Sequence, residues 1–517
     1  MMKTGESSSS KKVSYYMSND RNFQKDQNSA RLSGGVYLFC ALLSAYYVFS
    51  EKVPVNSGFG WDGSYYGMLV ANFSEQLASH SIDGYFIRRI LPPILVSLPA
   101  RILGLPITPE YIVHGFVAAN ALNMFLSSFF WLRICRLLSM GESRTVASYV
   151  LLMMCFPVIR MLAYDPVLTD SFAFLGSIAM LYFWLAQNRT GLAITVLANL
   201  FVWPNTMVVG TLLLLFERGT VLQVKRKMWA PVSSAIRIGA PIAAAFLVFL
   251  WVFVWPWAPD NWMDPIRVQL MPLSILLMLA YVFKCADYFT VCLFEDSEAN
   301  ALRGVTPRVV ATWLLVVGGG LLLQRYLAPK PPGVTIQSQM VFTVASSVNL
   351  PLLFLVSHFA FYSAAIAFVL LGAREMLAAA RNLGVGFFAT LAFTAFMSLS
   401  IEPRHILNGY PYLVLAIALS APLEKLSVPQ WVILGVIQLA GSKLWLTFDA
   451  TVADYDFTYP FMKHLEYPAQ WFFMNFGAWM SDGSYLLNLT WSLVMTLTIY
   501  LGFYARRTEA NVQRAIQ

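Results

Sequence analysis

Charge is what this chain has least of. Asp, Glu, Lys and Arg make up 12% of its 517 residues, where soluble domains carry about 25%. So few charges cannot cover a water-facing surface. Histidine and cysteine are equally sparse, at five each. Cys40, Cys135, Cys155, Cys285 and Cys292 include no CxxC pair, which reads as buried small hydrophobes rather than disulfides or a metal centre. The sequence holds no GxxxxGK[ST] loop, no HExxH and no GxSxG. ATP therefore has no visible binding motif. No metal ligand set is apparent either, although a divalent cation stays open. No cleavable signal peptide is evident, because residues 1–34 are polar and Ser-rich.

What is abundant is apolar. Hydrophobic residues reach 58%, aromatics 15%, and mean hydropathy is +0.61. Long apolar runs recur to the C-terminus, without the short alternating segments of a β-barrel. The fold class that follows is all-α, a polytopic transmembrane helix bundle. About twelve spans are expected, near 35–50, 111–132, 145–163, 167–187, 238–256, 271–293, 309–327, 340–371, 384–401, 406–421, 428–447 and 486–505. Between Gly191 and Phe216 the tripeptide Trp203-Pro204-Asn205 interrupts the apolar run, predicting a broken re-entrant hairpin. The organisation is thus an N-tail at 1–34, a transmembrane domain at 35–507 and a C-tail at 508–517. A first external loop occupies 51–110 and a last one 448–485. The net charge of +8 marks topology rather than nucleic acid. With both termini cytoplasmic, most Lys and Arg fall on the cytoplasmic side.

That orientation collects the unusual residues at the external face. In FGWDGSYYGM, residues 59–68, Asp62 stands among Trp61, Tyr65 and Tyr66. It reads either as a cap of the helix that follows or as a carboxylate partly desolvated by those rings and suited to general-base work. In YFIRRILPPILVSLPARILG, Arg88 and Arg89 precede a Pro-broken segment expected to be interfacial or re-entrant. Arginines at that depth pair with carboxylates, phosphates or headgroups. AYDPVLTDSFAF carries Asp165, which turn chemistry accounts for, and Asp170, which should sit inside the apolar boundary. SIEPRHILNGYPYLV packs Glu402, Arg404, His405 and Tyr410 into one corner. There Glu402 and Arg404 either pair with each other, or Arg404 and His405 clamp a phosphate. The acidic, aromatic 448–485 loop fits an interfacial belt or a lid.

Taken together, GWDGSYYGMLVANF, YFIRRILPPILVSL, DPVLTDSFAFLGSIAM, TGLAITVLANLFVWPN and PRHILNGYPYLV, in that order over about 40–420, resemble the GT-C superfamily of membrane glycosyltransferases. They are most similar to compact bacterial members without a large soluble domain. The resemblance implies a polyprenyl-phosphate sugar donor and a glycan, lipid or protein acceptor in a bacterial cytoplasmic membrane, where membrane lipids surround the chain. It implies Asp62 as catalytic base and Arg404, with His405, at the donor phosphate, joined by Arg88 or Arg89. Trp61, Tyr65, Tyr66, Asp165, Asp170, Glu402 and Tyr410 support them. Many members pair two acids in the first loop, whereas here Asp62 is alone and Asp83 lies some distance on. Two other classes stay open. A transporter or lipid flippase needs charges midway along spans, which are few here, and no duplication of halves is evident. A polysaccharide polymerase or ligase predicts a last loop rich in Arg and His.

Overall fold

The computed structural model describes residues 31–218, 221–223, 236, 238–250, 265–294, 301–303, 305–328, 343–344, 346–446, 480 and 482–505. Residues 1–30 of the N-tail, the C-tail and all but the end of the last external loop lie outside these residues. The described chain is helical, apart from one antiparallel pair of three-residue strands, β1 (Val221–Gln223) with β2 (Ala301–Arg303).

The helices follow in chain order. α1 (Arg31–Phe49) leads into the first loop, which folds as α2 (Asp62–Ala78), α3 (Gly84–Ile87) and α4 (Leu91–Leu103). Then come α5 (Pro109–Leu137), α6 (Glu142–Met153), α7 (Pro157–Tyr164) and α8 (Asp170–Leu185). The hairpin is α9 (Arg189–Asn199) and α10 (Pro204–Leu215), followed by α11 (Ile238–Leu250), α12 (Pro265–Phe294) and α13 (Pro307–Leu327). The last part comprises α14 (Leu353–Tyr362), α15 (Ala364–Leu383), α16 (Val385–Met397), α17 (Tyr410–Leu419), α18 (Val428–Gly441) and α19 (Gly483–Tyr504).

Local chemistry explains where several begin. Thr108 caps α5 through Tyr111 N at 3.2 Å with Pro109 next in line, and Asn188 caps α9 through Gly191 N at 2.9 Å. A capping box of Ser427 and Gln430 opens α18. Helices α8 and α17 are apolar around their circumference and are buried, as that pattern requires. α8 packs along α5 and α9, and α17 along α15 and α6. On α1, α13 and α19 the large apolar side chains point outward instead, with Phe49 at 86% and Leu315 at 76% exposed. Such an apolar outer surface suits lipid rather than water.

Five helices among the described residues are long and apolar enough to cross a membrane, and seven if each bent pair counts once. A further seven apolar helices are shorter, at 10–17 residues. The protein is a multi-pass integral membrane protein whose exact span number depends on those short helices. Two expected spans are bent. α6 and α7 meet at 51° just before Pro157, which removes a helix hydrogen bond. The stretch expected as one span at 340–371 is corrected more sharply: α14 and α15 meet at 117°. The corner residue, Ser363, is buried at φ 51° and ψ −124°, a conformation that suits glycine, and its hydroxyl has no hydrogen-bond partner among the described residues. Ser363→Gly is therefore expected to raise the thermal midpoint, with a gain on the order of 1 kcal/mol. A lower midpoint would mean that the serine holds the corner through contacts its strain does not reveal.

The hairpin breaks where WPN predicts. Trp203 is extended, at φ −160°, and the helix resumes at Pro204. Its freed backbone groups find partners in other elements. Leu91 N donates to the Phe201 carbonyl at 3.0 Å, and Gln324 on α13 donates to the Leu200 carbonyl at 2.6 Å. Covered by protein in this way, an interrupted helix is tolerated at membrane depth.

Candidate active site

The first-loop motif is shaped by its glycines. Gly60 has φ +69°, and a Cβ there would lie 2.8 Å from Asp165 Oδ1. A Cβ on Gly63 would lie 2.8 Å from the Val167 carbonyl. Only glycine lets the start of α2 press against the DPVLTD loop, and that contact brings Asp62 toward Asp165 and Asp170. Asp62 itself begins α2, in the first turn where the helix dipole favours an acid. It caps nothing, since Trp61 occupies the cap position without a side-chain bond. The cover over the Asp62 carboxylate is partial. Its side chain keeps 40% exposure, and Trp61 and Tyr65 are themselves open at 43% and 44%.

What Asp62 meets comes from the far part of the chain. Arg404 Nη2 stands 3.8 Å from Asp62 Oδ2. The same guanidinium donates to Glu402 Oε1, its Nε at 2.9 Å and its Nη2 closer still. His405 Nε2 lies 3.3 Å from Glu402 Oε2, and its Nδ1 is 2.7 Å from Ser400 Oγ. Glu402 and Arg404 do pair, then, but the pair is one side of a larger network rather than a closed unit.

The two neighbouring arginines part company. Arg89 is buried, donates to the Tyr66 hydroxyl at 2.8 Å and lies over the rings of Tyr85 at 4.4 Å and Trp203 at 3.9 Å. Each ring contact is a cation–π arrangement, strongest where water is excluded. Arg88 is half-buried at the end of α3 and feels the charge of Asp83, which caps that helix through Tyr85 N at 2.6 Å. Tyr65 stacks on Phe86, ring centroids 3.9 Å apart. Tyr410 does not face the site. It is fully buried, its hydroxyl bonds the Leu151 carbonyl at 2.5 Å, and its ring packs on Tyr362.

Sequence reasoning missed the part played by the hairpin tip. Trp203 floors Arg89, and Asn205 Nδ2 donates to the His405 carbonyl at 3.1 Å. WPN was legible as a helix break, but nothing in it signalled a partner on an element some two hundred residues later. Two further polar side chains complete the picture. Both carboxylate oxygens of Asp170 and both amide atoms of Asn408 are buried without a hydrogen-bond partner among the described residues. Arg404 and Arg89 both act on the charge of Asp170. Buried polar atoms in native proteins are nearly always satisfied, so these orphans suit a site that a ligand or water completes.

The electrostatics are uneven. Burial would raise the Glu402 carboxyl, but the charges of Arg404 and His405 outweigh it and hold it at about 2. Burial also opposes the charge on Arg404, and Glu402, Asp170 and Asp62 together more than restore it. Asp165 goes the other way. Burial pushes its carboxyl up to about 8, with Arg404 pulling back and Asp62 and Asp170 adding to the rise. An unfolded Asp titrates near about 4, so the folded protein holds a proton that the unfolded chain has lost. That stability is present below about pH 4 and disappears as pH rises through about 8. The thermal midpoint is expected to fall between about pH 4 and 8, and Asp165→Asn to flatten the fall. An equally steep profile in Asp165→Asn would place the titrating group elsewhere.

Among the described residues no three His, Cys, Asp or Glu side chains converge as a metal site. An apolar cavity of about 150 Å³ opens between α12, α14, α15 and α16, lined by Tyr281, Phe354, Ile366 and Leu391, and reaches Ile406 beside His405.

Fold and site define a class: an integral membrane protein with a buried, mixed-charge site at one end of its helix bundle. Residues 83–256 match the model of the Alg9-like mannosyltransferase family, a GT-C-type family of membrane glycosyltransferases. The matched third of the chain holds Arg88, Arg89, Asp165, Asp170 and Trp203 but neither Asp62 nor Arg404. No curated protein and no solved structure matches the chain.

Proposed function

We propose that the protein is a membrane glycosyltransferase that moves a sugar from a polyprenyl-phosphate donor to an acceptor hydroxyl. The observation that carries this is the meeting of Asp62 with Arg404 at 3.8 Å: a half-exposed carboxylate beside a part-buried guanidinium from the far part of the chain. Transfer from a phosphate-linked sugar needs those two groups. The acceptor oxygen attacks the anomeric carbon and gives its proton to the Asp62 carboxylate. The bond from that carbon to the phosphate oxygen breaks, and the departing phosphate keeps the electron pair. Arg404, with Arg89 behind it, meets the charge that develops there. Because this is a single displacement, the anomeric configuration inverts.

The match at residues 83–256 supports the reaction class. The apolar cavity that reaches Ile406 gives a lipid chain a place beside the phosphate position. In this reading the site faces the exterior of a bacterial cytoplasmic membrane, with both termini inside. A flippase is less favoured, since the groups that meet Asp62 gather at one end of the bundle instead of continuing as a charged path through it. The test is a thermal-shift panel of polyprenyl-phosphate sugars on the purified chain. One donor should stabilise it, and none doing so would move transport to the front.

A further inference from the structure

The bundle carries a second charged cavity at the end away from Asp62. It measures about 400 Å³. α8 runs between the two sites: Asp170 begins it at the first, and Phe183 and Trp184 near its far end wall the second. The run of helix from Asp170 to Phe183 and Trp184 puts them about 20 Å apart at 1.5 Å per residue. The remaining wall mixes apolar Leu192, Leu214 and Val309 with charged groups: Arg189 at the start of α9, Glu217 and Arg218 after α10, and Arg308 in the first turn of α13.

Three guanidinium groups line this cavity, and among its described lining residues a single carboxylate, Glu217, answers them. Arg189 pairs with Glu217 yet keeps 53% of its side-chain exposure. Arg218 donates to the Leu185 carbonyl at 2.5 Å and is fixed in the wall. Arg308 is exposed. Both Arg189 and Arg308 stand in the first turn of a helix, where the dipole is already positive and a cation is unfavourable. Helix stability therefore gives no reason for them. Arginines that only mark topology would splay into the interface, whereas these border a pocket with an aromatic floor. Their planar forks match phosphate oxygens.

We propose that this cavity binds the phosphate of an anionic membrane-lipid headgroup, with Arg189 and Arg308 on the phosphate oxygens and Arg218 as the fixed side of the pocket. The site is separate from the transfer chemistry and does not depend on it. Its chemistry is shared with a free phosphate ion, and the test separates the two sources.

The full chain is reconstituted in phosphatidylcholine nanodiscs, in discs also containing phosphatidic acid, and in phosphatidylcholine discs with millimolar inorganic phosphate. Phosphatidic acid is expected to raise the thermal midpoint by several degrees and inorganic phosphate to do much less. Arg308→Gln, an exposed position that should leave the midpoint in phosphatidylcholine alone unchanged, is expected to bind phosphatidic acid about tenfold more weakly, on the scale of a lost charge-assisted contact. Arg144→Gln is the control, since Arg144 lies 3.7 Å from Glu424 and outside the cavity. It should keep the full shift. An equal shift from inorganic phosphate overturns the lipid assignment in favour of a soluble anion. Equal losses in both variants, a full shift in Arg308→Gln, or no shift at all would overturn the site itself.

Discussion

Asp62→Asn is expected to slow sugar transfer by about 10²–10⁴-fold, the usual weight of general-base assistance, while donor-induced stabilisation persists. The isosteric amide keeps the shape of the first turn of α2 but cannot take the acceptor proton. Stability should barely change. The side chain is 40% exposed and its ion pair with Arg404 is long, at 3.8 Å, and open pairs of this kind are worth about 0–1 kcal/mol. Loss of turnover without loss of fold or donor binding separates a chemical role from a structural one. Turnover at the normal rate in Asp62→Asn would remove Asp62 as the base, whatever else the site does.

Arg404→Ala should do nearly the reverse, losing donor binding and fold stability together. The Arg404 side chain is 17% exposed and that of Glu402 is 13%, so truncation strands a mostly buried carboxylate, with Asp170 also deprived of one of its two countercharges. Breaking a buried pair from one side typically costs about 3–5 kcal/mol. In the donor panel, the midpoint of Arg404→Ala should be low even without donor, and no donor should raise it. Arg404→Lys restores a charge but not the fork that spans Glu402 and Asp62, so partial stability without donor response is expected. Should Arg404→Ala keep both its stability and its donor shift, the phosphate would have to sit on Arg89 or elsewhere.

Much of this arrangement can be read along the chain. Scarce charge and long apolar runs dictate helices in a membrane, because in lipid each backbone group must find its partner within the segment. WPN dictates a broken hairpin, since proline cannot continue the helical ladder. The residues of the network, Asp62, Arg89, Asp165, Asp170, Glu402, Arg404 and His405, all stand out as charges at the edge of apolar segments. Their common location follows from counting crossings.

Other features are not linear properties. Arg88 and Arg89 are chemically identical and adjacent, yet one is half-exposed near Asp83 and the other is buried on Trp203. Successive helical side chains point about 100° apart, and only the packed neighbours decide which direction is inward. Tyr410 looked like part of the corner, but its hydroxyl is spent on the Leu151 carbonyl. The bend at Ser363 carries no proline or glycine to announce it, since packing between α14 and α15 holds a conformation the residue itself resists. By itself, then, the sequence determined the membrane class, the hairpin break at Trp203-Pro204-Asn205 and the inventory of charged groups, all consequences of solvation and backbone chemistry. The tertiary structure alone decided which of those charges meet, how far Asp62 is covered, and that Trp203 and Asn205 belong to the site. Contacts between distant segments depend on side-chain direction and close packing, which no local pattern encodes.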